Sequence, residues 1–319
     1  MSVSQQGFDP NIFLGRVVKN YRIKSLIGSG NNGAVYEAVL GNGSSRYAIK
    51  VSRIDHLYQS AYERERDVLV NVSTHPQCSC YVLCMFEEFR ASYRNGMYGF
   101  VVMELMDGNI GKLKFRVIDD VLDFMQQMLG ALRFIHKSGY SHGMIKPANV
   151  LYRNTPSGRR IYKMTDVGIS AMSGPEHNPT LPFLYMDPRV RAHMISQPDV
   201  EMSLDLLKSA DVFSLGRLFL MAISSLVHNS TIDNEERRWK MAIDKEERRR
   251  EMMERLRRGI NTISDAKLSE QLVHFVEQMT TSVFSERIGC HLAKETVDWI
   301  IRTYNNRRRI FGKTELRID

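Results

Sequence analysis

The chain has 319 residues, of which 43% are apolar, 25% charged and 9% aromatic, a balance that excludes disorder as the dominant state. That length suffices for one large two-lobed domain or two average ones. The 44 Lys+Arg against 36 Asp+Glu give a formal net charge of +8, which favours acidic partners without choosing among protein, nucleic acid and lipid surface. No apolar run, 218–223 being among the longest, approaches the roughly 20 residues of a bilayer span. Residues 1–20 lack the basic start and apolar segment of a secretion signal, and four cysteines are too few for a disulfide framework. The expectation is a chain with no membrane span in a reducing compartment, cytosol or nucleus.

In chain order, residues 1–20 read as a polar arm whose apolar patch, Ile12, Phe13 and Leu14, lies on the domain. Residues 21–51 alternate in strand fashion, with glycine clusters at 28–33 and 41–43, and predict an antiparallel sheet. The spacing of Tyr62, Val68, Leu69 and Val72 predicts an amphipathic helix over 58–72. Strands are expected again at 81–89 and 99–105, then helices at 121–136, 210–227 and 268–281. A β-rich part giving way near Asp107 to a helical part predicts an α+β, bilobal fold with a cleft between a β-rich N-lobe and a helical C-lobe. The expected division is an arm 1–20, an N-lobe with hinge 21–106, a C-lobe 107–303 and a basic tail 304–319.

Gly28-Ser29-Gly30-Asn31-Asn32-Gly33 fits G-x-G-x-x-G, but Ala34-Val35-Tyr36-Glu37-Ala38 continues as strand where a dinucleotide fold would open a helix. The loop therefore reads as a hairpin over phosphates. Lys50 follows in Ala48-Ile49-Lys50 on a buried-looking strand, where an ammonium needs an anion. Glu65 on the next helix is the favoured partner and Glu63 the lesser one.

These residues, with Glu65-Arg66-Asp67-Val68-Leu69, Val101-Val102-Met103-Glu104-Leu105-Met106, Lys146-Pro147-Ala148-Asn149, Asp166-Val167-Gly168, Tyr185-Met186-Asp187-Pro188 and 211–216, resemble the protein kinase family over about residues 21–301. The resemblance implies a nucleotide site for ATP and Mg²⁺ beneath Gly28, Gly30 and Gly33. Lys50 would hold the α and β phosphates and Glu65 would hold Lys50. Met103 falls at the gatekeeper position, and Glu104 and Met106 would offer backbone groups to the adenine. Val35 and Ala48 would cover the base from above and Leu151 from below. Lys146 would reach the γ phosphate, and Asn149 and Asp166 would offer oxygen atoms to Mg²⁺.

The catalytic loop departs from that family. Residues 142–149 read H-G-M-I-K-P-A-N where the family has H-R-D-L-K-P-x-N, so the carboxylate that would orient and deprotonate a hydroxyl is Met144. Gly143 removes the arginine that anchors a phosphate on the 169–185 segment. Arg189 stands where an anion normally meets a late arginine, from the region of Arg287, so two cations would face each other unless Asp187 or Glu286 intervenes. Pro182 takes a threonine position, unless an insertion restores Thr180. The reading is a pseudokinase acting as a nucleotide-responsive binding or scaffolding module. A weak or unconventional transferase and an inert subunit that binds no nucleotide are the alternatives.

His75, Cys78, Cys80 and Cys84 could compose a zinc site on paper, but a strand over 80–86 would set Cys80 and Cys84 too far apart. His142 is expected to pack and Asp211 to accept backbone hydrogen bonds from the catalytic loop. Residues 235–258 hold ten Lys+Arg and seven Asp+Glu, with Glu236/Lys240, Glu246/Arg250, Glu251/Arg255 and Glu254/Arg258 spaced for ion pairs on a single helix. Trp239, Ile243, Met253, Leu256 and Ile260 give that helix a thin apolar stripe. It is expected to lie solvated on the C-lobe or, as a docking surface, to meet an acidic protein partner through Trp239 and 248–250, with 307–309 adding basic charge.

Overall fold

The computed structural model describes residues 8–30, 33–54, 59–167, 184–197, 200–240, 246–263 and 266–311. Two compact units divide between Asp107 and Gly108. In the first, strands β1 (Val17–Val18), β2 (Tyr21–Gly30), β3 (Gly33–Leu40) and β4 (Arg46–Ile54) precede helices α1 (Gln59–Ser73) and α2 (Cys78–Tyr81). Strands β5 (Met85–Tyr93) and β6 (Gly96–Glu104) complete an antiparallel sheet of order β1-β2-β3-β4-β6-β5.

Strand alternation gives this sheet two different faces. Ala34, Tyr36, Ala38, Ile49, Val51, Phe100 and Val102 point to one side and bury there against Phe13. Phe13 meets the rings of Tyr36, Tyr98 and Phe100 edge-on at 5.1–6.5 Å, and the Tyr36 hydroxyl donates to the Pro10 carbonyl at 3.1 Å. The N-terminal segment thus covers that face. Val35 lies opposite Lys50 and Ala48 opposite Met103, which sets these four on the other face. Helix α1 packs there because Gly99 leaves room: a Cβ at Gly99 would lie 2.2 Å from the Tyr62 ring.

The strand expected over 81–89 starts four residues late. Cys78 is bonded to Cys84 with their Cα atoms 5.9 Å apart, whereas six residues of strand would separate them by about 20 Å. Residues 78–81 coil into α2 instead, and Met85 starts β5 with its N–H on the Ser73 hydroxyl at 2.9 Å. With one disulfide formed, a low cysteine count no longer argues for a reducing compartment.

The second unit begins with β7 (Gly108–Asn109), α3 (Ile118–Lys137), β8 (Val150–Asn154) and β9 (Arg160–Met164), the strands ordered β7-β8-β9. Helices α4 (Pro188–Ser196), α5 (Leu204–Val227), α6 (Ile232–Lys240), α7 (Glu246–Ile263), α8 (Ala266–Thr280) and α9 (Cys290–Phe311) follow. Val121, Leu122, Met125, Met128, Leu129, Leu132 and Ile135 bury one side of α3, while Asp119 and Asp120 in its first turn and His136 and Lys137 in its last suit the helix dipole. Among the described helices α5 alone is long and apolar enough to cross a membrane, and 89% of its apolar window is buried, as befits a core helix.

The helix expected over 235–258 is described in two stretches, α6 and α7. α6 ends at Lys240 and α7 starts at Glu246, while 241–245, with Ile243, lie outside the described residues. α6 is held inward, because the buried Glu235 accepts from Arg238 at 2.8 Å and from Ser224, and lies 3.0 Å from His228. Trp239 donates to the same Ser224 hydroxyl at 3.2 Å and is fully buried, so it is a core residue and not a surface anchor. The Glu236–Lys240 and Glu251–Arg255 pairs form at 2.9 and 2.5 Å, but Glu254 takes Arg257 at 3.2 Å in place of Arg258. Arg307, Arg308 and Arg309 are helical, within α9, and Arg308 pairs with Asp119 at 2.7 Å.

Candidate nucleotide site and the altered catalytic loop

On the face of the first sheet that carries α1, Lys50 forms an ion pair with Glu65, and both side chains are largely buried. Glu63 has other company, accepting from Gln59 at 3.1 Å and lying 3.9 Å from Arg90. The pair satisfies an ammonium whose burial would otherwise be costly. Tyr62, one turn before Glu65, donates to Glu88 at 2.6 Å, and burial with that contact raises its hydroxyl pKa. α1 is therefore tied to β5 as well as to β4.

Val35, Ala48 and Met103 surround Lys50 on that face, and Glu104 and Met106 follow at the end of β6. Gly28 and Gly30 are exposed, with open space where a Cβ would stand. Gly33 differs. A Cβ there would lie 2.1 Å from the Val51 carbonyl oxygen, so this glycine serves the close approach of β3 to β4. Asn31, Asn32, Gly168, Thr180 and Pro182 lie outside the described residues.

In the second unit the loop 142–149 is fixed through its backbone. Buried Asp211 on α5 accepts from the N–H groups of His142 and Gly143, each at 2.7 Å, as expected. His136 on α3 adds a contact to Asp211 at 2.9 Å, which no motif announced. Gly143 adopts φ +75°, the left-handed region that glycine enters without strain. His142 is fully buried, and its Nδ1 accepts the Met144 N–H at 3.3 Å. Burial lowers its pKa against the opposing pull of Asp211, so the imidazole is neutral and packed.

Asn149 donates from its amide nitrogen to the Met144 carbonyl at 3.0 Å, leaving Oδ1, the atom a hard cation takes. The Thr165 N–H donates to the Asn149 carbonyl at 3.0 Å, and Val150 pairs with Met164, which sets Asn149 and Asp166 at the same end of the β8–β9 ladder. Asp166 has φ +59°, an uncommon conformation of the kind that gathers at functional sites. These two oxygen donors fit Mg²⁺, which ordinarily takes one or two protein ligands alongside phosphate and water. Lys146 and Leu151 flank them, both half-buried. Met144 is half-buried too, and its thioether has no proton to exchange and no lone pair strong enough to hold a hydroxyl.

Of the two outcomes open at Arg189, facing cations or an intervening carboxylate, the structure has the second. Asp187 intervenes: it pairs with buried Arg287 and also caps α4, its Oδ1 accepting the Arg189 N–H at 2.8 Å. The Arg189 guanidinium turns to the Phe284 ring, 4.4 Å from its centroid. The carboxylate has moved two residues towards the N-terminus and the ion pair survives.

The protein kinase domain family matches residues 21–300, and the chain belongs to that family. It is 26% identical over 209 residues to the stress-activated protein kinase jnk-1 of Caenorhabditis elegans, covering 64% of this chain and 42% of that protein. The serine/threonine-protein kinase PknA of Mycobacterium tuberculosis is 27% identical over 214 residues, 64% of this chain and 46% of PknA. CBL-interacting serine/threonine-protein kinase 16 of Arabidopsis thaliana is 31% identical over 168 residues, 49% of this chain and 33% of the relative. The aligned segments span less than half the length of these relatives.

Proposed function

We propose that the chain is a pseudokinase, a kinase fold that binds ATP with Mg²⁺ and works as a scaffolding module with little or no phosphotransfer. The observation that carries this reading is Met144, held by its backbone between His142 and Asn149 where the reaction needs a carboxylate. General-base participation contributes about 10²- to 10⁴-fold, so its loss leaves the positioning of phosphates but not efficient transfer. The retained Lys50–Glu65 pair supports nucleotide binding, with Lys50 on the α and β phosphates. Asn149 and Asp166 would hold Mg²⁺, which supplies positive charge against the phosphates when bound. The second reading, a weak ATP-dependent transferase, is favoured by the same pair and by relatives that carry the names of serine/threonine kinases.

Thermal denaturation with millimolar ATP and MgCl₂ tests the nucleotide half of the proposal. The melting temperature of the wild type should rise, and Lys50→Met should abolish the rise. Absence of any shift in the wild type would favour an inert subunit.

A further inference from the structure

Helix α1 meets the sheet in two halves that are held differently. Val68, Leu69 and Val72 bury its second half, whereas among the described residues of 59–67, which include Glu65, only Tyr62 is buried. The strand register shows what receives that residue. Lys50, Val101 and Glu88 form one cross-strand row and Ser52, Gly99 and Arg90 form the next, both on the face that carries α1. Tyr62 and Glu65, three residues apart, lie on one side of the helix. Glu65 meets the Lys50 end of the first row, while the Tyr62 hydroxyl donates to Glu88 at its other end, at 2.6 Å. The second row seats the ring: Gly99 has no Cβ to strike it, and the Arg90 guanidinium lies 5.3 Å from its centroid.

We propose that Tyr62 is a positioning residue for Lys50, an inference that rests on the nucleotide-binding reading and adds a latch to that site. The Tyr62 hydroxyl on Glu88 fixes the first half of α1, so that Glu65 stays on the ammonium and Lys50 is held ready for phosphates. The hydroxyl carries the latch rather than the charges around it. Arg90 lies 3.6 Å from Glu88 and 3.9 Å from Glu63, but its side chain and that of Glu63 are more than a third exposed, and such pairs contribute little. Tyr62 is buried and donates to a carboxylate, the stronger kind of hydrogen bond. The latch also fixes rotation. Glu63 is two residues from Glu65 and faces elsewhere, and turning α1 to bring it to Lys50 would draw the Tyr62 ring out of its seat at Gly99.

The probe is sulfosuccinimidyl acetate on the full chain without nucleotide, with acetylation of Lys50 followed by peptide mass spectrometry against the exposed Lys24 as reference. Tyr62→Phe keeps the ring in its seat and should speed Lys50 acetylation at least about threefold. Glu88→Ala removes the acceptor from the other side and should do the same, while the double variant should be no faster than either single one. In a Glu65→Gln background Tyr62→Phe should change the rate less than about twofold, because the latch acts through Glu65. ATP affinity with Mg²⁺, measured on the same samples, should fall at least about threefold in Tyr62→Phe. Four results would overturn the proposal: wild-type acetylation in either single variant, additive acceleration in the double variant, equal acceleration with and without Glu65, or unchanged ATP affinity in Tyr62→Phe when the wild type binds. A wild type that binds no ATP would end the nucleotide reading, and the acetylation rates would still decide whether Tyr62 positions Lys50.

Discussion

The strand that carries Lys50 and the loop that carries Met144 have kept different things. At the strand the charges survive, Lys50 with Glu65 from α1, both side chains largely buried. In the loop the backbone survives, with two N–H groups on Asp211, the Met144 N–H on His142 and its carbonyl on Asn149, while the family's carboxylate position holds the Met144 thioether. Support and chemistry are therefore separable. A buried carboxylate that satisfies two N–H groups is costly to remove whether or not the loop reacts, whereas one exchanged side chain at Met144 disturbs none of those bonds.

The difference can be broken most forcefully at Asp211. Asp211→Ala strands the buried N–H of His142 and the partly buried N–H of Gly143, and should cost about 3–5 kcal/mol in urea denaturation. A loss below about 1 kcal/mol would mean that the loop is not held by this carboxylate. Next in size is repair of the chemistry. Met144→Asp restores a carboxylate beside Gly143, with no guanidinium at that neighbouring position, and transfer should stay more than about 10²-fold below that of an ordinary kinase. Ordinary activity from this one change would confine the lesion to a single side chain.

The smallest effect is one of pH. The folded chain holds His142 below its ordinary value of 6.5, so under acid conditions the unfolded chain binds a proton that the folded chain refuses. This contribution to stability is complete above 6.5 and declines as pH falls below it, by at most about 1.4 kcal/mol per pH unit. Urea midpoints at neutral pH and in mild acid should converge more in His142→Phe than in wild type. An unchanged slope would assign the acid sensitivity to other groups.

Local pattern made much of this legible. Alternation revealed the sheet and the apolar spacing of α3 its helix, while the position of Lys50 demanded an anion that Glu65 supplies. What the sequence hid were pairings between distant or competing residues. Period and charge alone describe 235–258 as one solvated helix, since nothing local announces that Trp239 and Glu235 meet Ser224 on α5. Strand character over 81–89 likewise gave no sign that Cys78 would fold back on Cys84. The Asp187–Arg287 pair lies between: the sequence offers Asp187 and Glu286, and the buried partner of Arg287 is Asp187.

The separation of binding from transfer is tested most directly by incubating the purified chain with γ-labelled ATP, Mg²⁺ and generic protein substrates, with nucleotide binding measured on the same sample. Bound nucleotide with labelling at background is the expected result. Robust labelling that disappears in Asp166→Asn would contradict it, for the transfer would then belong to this chain and proceed without a carboxylate at Met144.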